Sequence, residues 1–168
     1  VTLLMLAMTR GHEGLADALL QRGADLSLQT SVGATALSLA AANGREKLVE
    51  LALRHGAEIN QQTTLCSTAL MGAAADGHEK VVDSLIRHGA AIDLQCNNGD
   101  TALIRAANHG HPAALLCLLR AGADVTLCSA DGTTALQWAE EKGHTECLRA
   151  LAEHAAAEKA AEKAAEKA

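Results

Sequence analysis

Apolar and polar positions follow one another along this chain in a pattern that returns every 33 residues. Thr stands at 2, 35, 68, 101 and 134, Leu two places on at 4, 37, 70, 103 and 136, and Ala at 7, 40, 73, 106 and 139. Gly closes this segment at 11, 44, 77, 110 and 143, and a second Gly recurs at 23, 56, 89 and 122. Between the Thr and the first Gly the apolar residues fall at helical spacing, as in Leu37, Ala40 and Ala41. The Gly then supplies the left-handed conformation that ends a helix. A second helix is predicted over segments such as Glu46 to His55, with Leu48, Leu51 and Ala52 at helical spacing and Gly56 as its stop. Pro112 lies just after Gly110, in the first turn of a helix, where no hydrogen bond is lost. Residues such as 57–67 carry polar and β-favouring side chains without a helical period and are predicted to form a protruding, hairpin-like loop.

One such unit has too little apolar surface to fold alone, so the pattern predicts a stack in which each unit packs on its neighbours at helix spacings of roughly 8–10 Å. Period and motif resemble ankyrin repeats, which carry a motif close to Thr-Pro-Leu-His-x-Ala. The resemblance covers residues 1 to about 155, as repeats of about 1–33, 34–66, 67–99, 100–132 and 133–155. It implies an all-α ankyrin-repeat solenoid with a helix, a turn, a helix and a hairpin-like loop in each unit. The sequence departs from the motif in two columns. Its Pro position holds Leu3, Ala36, Ala69, Ala102 and Ala135, and its His position holds Met5, Ser38, Met71, Ile104 and Gln137. The hydrogen bonds of that absent His need substitutes. A Gly-His pair survives at Gly11-His12, Gly77-His78, Gly110-His111 and Gly143-His144, with Arg45 after Gly44.

The resemblance further implies a protein–protein interaction module that binds through its concave helix face and loop tips. Applied repeat by repeat, that rule selects Thr9, Arg10, Asn43, Asp76, Arg105, Asn108, His109, Trp138, Glu141 and Lys142 on the first helices. At the loop tips it selects Val32, Leu65, Asn97, Asn98, Asp100 and Asp131. Leu6, Leu39, Gly72, Arg105 and Trp138 share one first-helix position. Gly72 beside Arg105 either opens a notch for a partner side chain or is filled by Arg105, and Trp and Arg are enriched at binding hot spots.

Composition narrows the alternatives. The 168 residues suit one domain or a short array, and with no Phe or Tyr and only Trp138 among aromatics, the core must be built from small residues at close spacing. A net charge of −6 with scattered basic residues argues against a nucleic-acid partner. No run approaches the roughly 18 apolar residues of a membrane span. Cysteines at 66, 96, 117, 128 and 147 form no Cys-x-x-Cys pair, so an intracellular, cytoplasmic setting is expected.

No Gly-rich phosphate loop, nucleophile elbow or His-Glu-x-x-His is present, so neither an enzyme nor a cofactor is expected. His12, His78, His111 and His144 recur with the repeat and are expected to cap the second helices and bond neighbouring loops, not to bind metal. Cys66, Cys96 and Cys128 fall in consecutive loops without an evident tetrahedral set, and Cys117 and Cys147 read as small core residues.

The fifth copy lacks the second Gly and runs on through repeated Ala-Ala-Glu-Lys to Ala168. Its last helix is expected to continue from about Thr145 to the end, roughly 36 Å, with residues 156–168 as a helical extension. A four-residue period drifts around a 3.6-residue helix and leaves no stripe for a coiled coil. So regular a run reads as an engineered handle. At the other end, residues 1–11 are apolar for a face with no earlier repeat, and Val1 is no initiator, so an upstream segment or another surface is expected to cover it. The rival to a monomeric binding module is therefore an engineered building block, or a homo-oligomer assembled through the first repeat.

Overall fold

The computed structural model describes residues 1–165, with Glu162, Ala164 and Ala165 described by backbone alone. Ten helices and no strand occur among the described residues, two helices to each period of the sequence. They are α1 Leu3–Arg10, α2 Glu13–Gln21, α3 Ala36–Ala42, α4 Glu46–Arg54, α5 Ala69–Ala75, α6 Glu79–Arg87, α7 Ala102–His109, α8 Pro112–Arg120, α9 Ala135–Lys142 and α10 Thr145–Ala165. The odd-numbered helices pack side by side in chain order as one layer, the even-numbered ones form a second, and each pair packs across the two. None of the helices is long and apolar enough to cross a membrane among the described residues.

Each first helix starts at the recurring Thr, which holds an extended backbone while its hydroxyl accepts the N–H three residues on. Substitutes for the absent motif His stand in three of the pairs. Ser38 Oγ accepts the Thr35 N–H at 2.9 Å, Gln137 Oε1 accepts that of Thr134 at 2.9 Å, and Met5 Sδ that of Thr2 at 3.4 Å. Ile104 has no acceptor to offer in the fourth.

Gly11, Gly110 and Gly143 are left-handed caps directly after their helices, as the sequence predicts. Helices α3 and α5 stop one residue sooner, with Asn43 and Asp76 as caps and the Gly a step beyond. At Asn43 the Leu39 carbonyl accepts both its N–H at 3.2 Å and its Nδ2 at 2.8 Å.

The core runs unbroken through the stack. Leu37, Leu70 and Leu103 are fully buried between layers whose close approach is allowed by Ala36, Ala69, Ala102 and Ala135. Each such Leu contributes about 1.5–3 kcal/mol relative to an exposed one. At the two ends the same registers lose their cover. Leu3 and Leu15 are exposed where Ala36 and Leu48 are buried, and Leu136 is exposed where Leu37, Leu70 and Leu103 are buried. Of the apolar opening segment, Leu4, Met5, Ala7 and Met8 turn into the core, so only Val1, Leu3 and Leu6 face outward. Helix α10 continues past Ala155 without a break, as expected, over about 31 Å for its 21 residues. Residues 166–168 of the expected extension lie outside the described residues.

The loops are tight turns in place of full hairpins, with a single isolated bridge, Cys128–Thr134, among the described residues. Every tip is closed by the same bond, from an N–H to the carbonyl four residues on: Thr30 to Ala34, Thr63 to Ser67, Cys96 to Asp100 and Ser129 to Thr133, at 2.9–3.0 Å.

Candidate functional site

Successive loop tips are tied into a ladder. The Thr64 N–H donates to the Val32 carbonyl at 3.1 Å, Asn97 to Leu65 at 3.1 Å, and Ala130 to Asn98 at 2.7 Å. This approach needs a residue without a side chain at Gly33 and Gly99, where a Cβ would lie 2.6 Å and 2.7 Å from the next loop's backbone nitrogen. The second loop places Cys66 there, at φ 57, the one non-glycine with positive φ among the described residues. Val32, Leu65 and Asn98, with their carbonyls turned into the ladder, and Asp131 in the last loop form one register of exposed side chains. Val32 is 60% exposed and Leu65 66%. Asn97 is exposed beside Leu65, its Nδ2 donating to the Thr64 carbonyl at 3.4 Å.

On the first helices, Arg10, Asn43, Asp76, His109 and Lys142 form a second exposed row. Thr9 and Asn108 are half-buried and belong to the frame as well as the surface, since their carbonyls accept bonds from Arg45 Nε at 3.3 Å and His144 Nε2 at 3.0 Å. Trp138 is half-buried, donates Nε1 to Ser129 Oγ at 3.4 Å, and carries Lys142 Nζ 5.2 Å from its ring centre. Glu141 stands exposed with a carboxylate 3.5 Å from the same ammonium. Arg105 spans two loops: Nη1 donates to Ser67 Oγ at 3.0 Å and Nε lies 3.9 Å from Asp100 Oδ2. It does not fill the space at Gly72, where an added Cβ would meet only Ala42, at 3.4 Å. The notch is open.

Two acids in neighbouring loops titrate in opposite directions. Burial holds the Asp100 carboxyl above its ordinary pKa, against the lowering effect of Arg105 and with a further rise from the nearby Asp131 charge. Asp131 is held below, because Ser129 Oγ donates to it at 2.7 Å and the Thr133 N–H at 3.1 Å.

The repeated histidines work differently from the expected cap. His12, His78, His111 and the equivalent Arg45 occupy the N-cap positions of α2, α6, α8 and α4, yet none makes a side-chain capping bond. An imidazole there reaches backwards instead. His78 Nε2 donates to the Ala42 carbonyl at 3.0 Å, as His144 does to Asn108, satisfying an acceptor that the preceding first helix leaves open at its end. Because a carbonyl can only accept, the bond places the proton on Nε2. No group of three or more His, Cys, Asp or Glu side chains is placed to hold a metal among the described residues. Burial raises the thiol pKa of both Cys117 and Cys147, which disfavours the reactive thiolate.

A cavity of about 550 Å³ lies on the other side, between the outer surfaces of α2 and α4. It is an open trough lined by opposite charges, including Glu13, Asp17, Lys47 and Arg54, and by Gly14, where an added Cβ would meet nothing within 4 Å. It lacks the enclosed apolar walls of a small-molecule site.

The sequence reading missed the 33, 66, 99 and 132 column, although its 33-residue spacing was available as a signal. No curated protein matches the chain. The family model for ankyrin repeats (3 copies) matches residues 1–63, 61–128 and 106–166. With the stacked helix pairs, the left-handed glycines after the first helices and the ladder of loop tips, that match settles the relationship: the chain belongs to the ankyrin-repeat family.

Proposed function

We propose that this chain is an intracellular protein-binding module whose partner lies against the first-helix face and the loop tips, with no cofactor or chemistry of its own. Ankyrin repeats are in general protein–protein interaction modules. Binding is assigned to residues 1–155, with the Ala/Glu/Lys run of 156–168 as a spacer. The observation that carries the reading is the exposure of Val32 and Leu65 in consecutive loops. The ladder uses only their carbonyls, and it forms equally with Asn98 at the same register. The frame therefore has no need of large apolar side chains there, and a partner does.

The test is selection of a random linear peptide library on the full chain, followed by affinity measurement on a Val32→Ser/Leu65→Ser variant. A loss of about tenfold or more is expected. Unchanged affinity, or loss only on substituting Lys47 and Arg54 of the opposite trough, would sink the reading. A second reading, self-association through the first pair, rests on exposed Val1, Leu3 and Leu15. Light scattering tests it: a 17.3 kDa monomer would oppose it and a discrete oligomer would support it.

A further inference from the structure

The binding face changes character along the stack. Its first two pairs present Leu6, Leu39, Val32 and Leu65. Its third and fourth present Asp100 and Asp131 in adjacent loops, with Arg105 as the cation beside them. Two carboxylates share one guanidinium there, and Asp100 feels charges of both signs: burial raises its pKa first of all, Arg105 and His109 work to lower it, and the Asp131 charge works to raise it. Arg105 is held in place by Ser67 and Asp100 at once, so it is a fixed wall and not a free cation. Between the apolar and acidic halves lies the open notch at Gly72, floored by Ala42 and flanked in register by Leu39 and Arg105.

Resting on the binding reading above, we propose that the partner is a protein segment carrying an aliphatic side chain close to a Lys or Arg. The aliphatic side chain seats over Gly72 between Leu39 and Arg105, and the cation pairs with Asp100 and Asp131. Neighbouring pairs stand about 8–10 Å apart and an extended chain rises about 3.3 Å per residue, so the cation sits two or three residues from the anchor. A partner of opposite charge pattern meets two carboxylates and a guanidinium already engaged with Ser67 and Asp100.

The peptides selected from the random library supply the probe. The expected result is enrichment of Leu, Ile or Met two or three residues from Lys or Arg. Affinity is expected to fall about tenfold on Gly72→Leu, which fills the notch. It is expected to fall about threefold on Asp100→Asn/Asp131→Asn, with less salt dependence remaining. Gly72→Leu should fold at least as well as the parent, since Leu39 already occupies that register and a helix-interior Gly is removed. Should Asp100→Asn unfold, Asp131→Asn alone carries the charge test, because an amide oxygen can keep the bonds from Ser129 and Thr133. Peptides without the paired motif, or with unchanged affinity for both variants, overturn the proposal. If such peptides still lose affinity on Val32→Ser/Leu65→Ser, the binding face stands and only its assigned partner falls. A library that yields no binder, or binders indifferent to every variant on this face, contradicts both.

Discussion

Gly44 and His78 are packed so closely that a Cβ on Gly44 would lie 2.6 Å from His78 Nδ1. The same approach recurs between Gly77 and His111 at 2.5 Å and between Gly110 and His144 at 2.6 Å. Each Gly-His pair thus has two separate jobs. At Gly77-His78 both are seen: His78 bonds the Ala42 carbonyl of the pair of helices before it, and Gly77 makes room for the His111 that follows.

Gly44→Ala should therefore cost about 2–4 kcal/mol: roughly 1 for a left-handed alanine and 1–3 for the collision with the ring. Gly56 has a similar φ of 83 with nothing within 4 Å, so Gly56→Ala should cost only about 1 kcal/mol. Urea denaturation measures both. In a His78→Ala background the difference between the two should shrink, and a difference that persists would show that the ring is not the obstacle.

Cys66 is the mirror case, a side chain kept where the other loops have Gly33, Gly99 and Gly132. Cys66→Gly should raise stability by roughly 0.5–1 kcal/mol, the relief of a left-handed non-glycine less the added freedom of the unfolded chain. A loss of stability would mean that the thiol makes contacts worth more than the strain.

Much of this was legible in the sequence, because a repeat reports the same physics several times. The Thr and first-Gly columns mark where first helices begin and end, and helices start within a residue of the marks. The long last helix follows from the missing Gly at 155. Legibility ended where one residue type serves two geometries. A His before a helix reads as a cap, and only coordinates show His78 turning back to a carbonyl 36 residues earlier. The notch at Gly72 was visible as an alternative, but choosing it required knowing that Arg105 leans toward Ser67 and not toward the gap.

Ser84 is fully buried on α6, and its hydroxyl has no hydrogen-bond partner among the described residues. The same register holds Leu51, Cys117 and Ala150 in other pairs. Ser84→Ala should stabilise the fold by about 1 kcal/mol, because it removes a polar group that folding strips of water. Destabilisation in the same urea assay would reveal a partner for the hydroxyl.

The carboxylates should titrate in a defined order. Coming down from neutral pH, Asp100 takes its proton before Asp25, Asp124 and Asp131, above the ordinary value of 3.8, because burial disfavours its charge. Its ionised form is less stable folded than unfolded, so protonation there favours the fold. Asp25, Asp124 and Asp131 take theirs last, below 3.8, because hydrogen bonds from Ser27, Thr126 and Ser129 favour the charged form. Their contribution is present above that ordinary value and is lost as pH falls through the lowered one. Carboxyl chemical shifts followed by NMR give the order directly, and Asp131 titrating above Asp100 would contradict it.

The most direct test of where this protein binds is hydrogen–deuterium exchange on the full chain with and without a selected peptide. Slower exchange is expected at the loop tips around residues 63–67 and 96–100 and in α5 and α7, with the second helices unchanged. Slowing confined to α2, α4, α6 and α8 would place the partner on the opposite side and contradict the account.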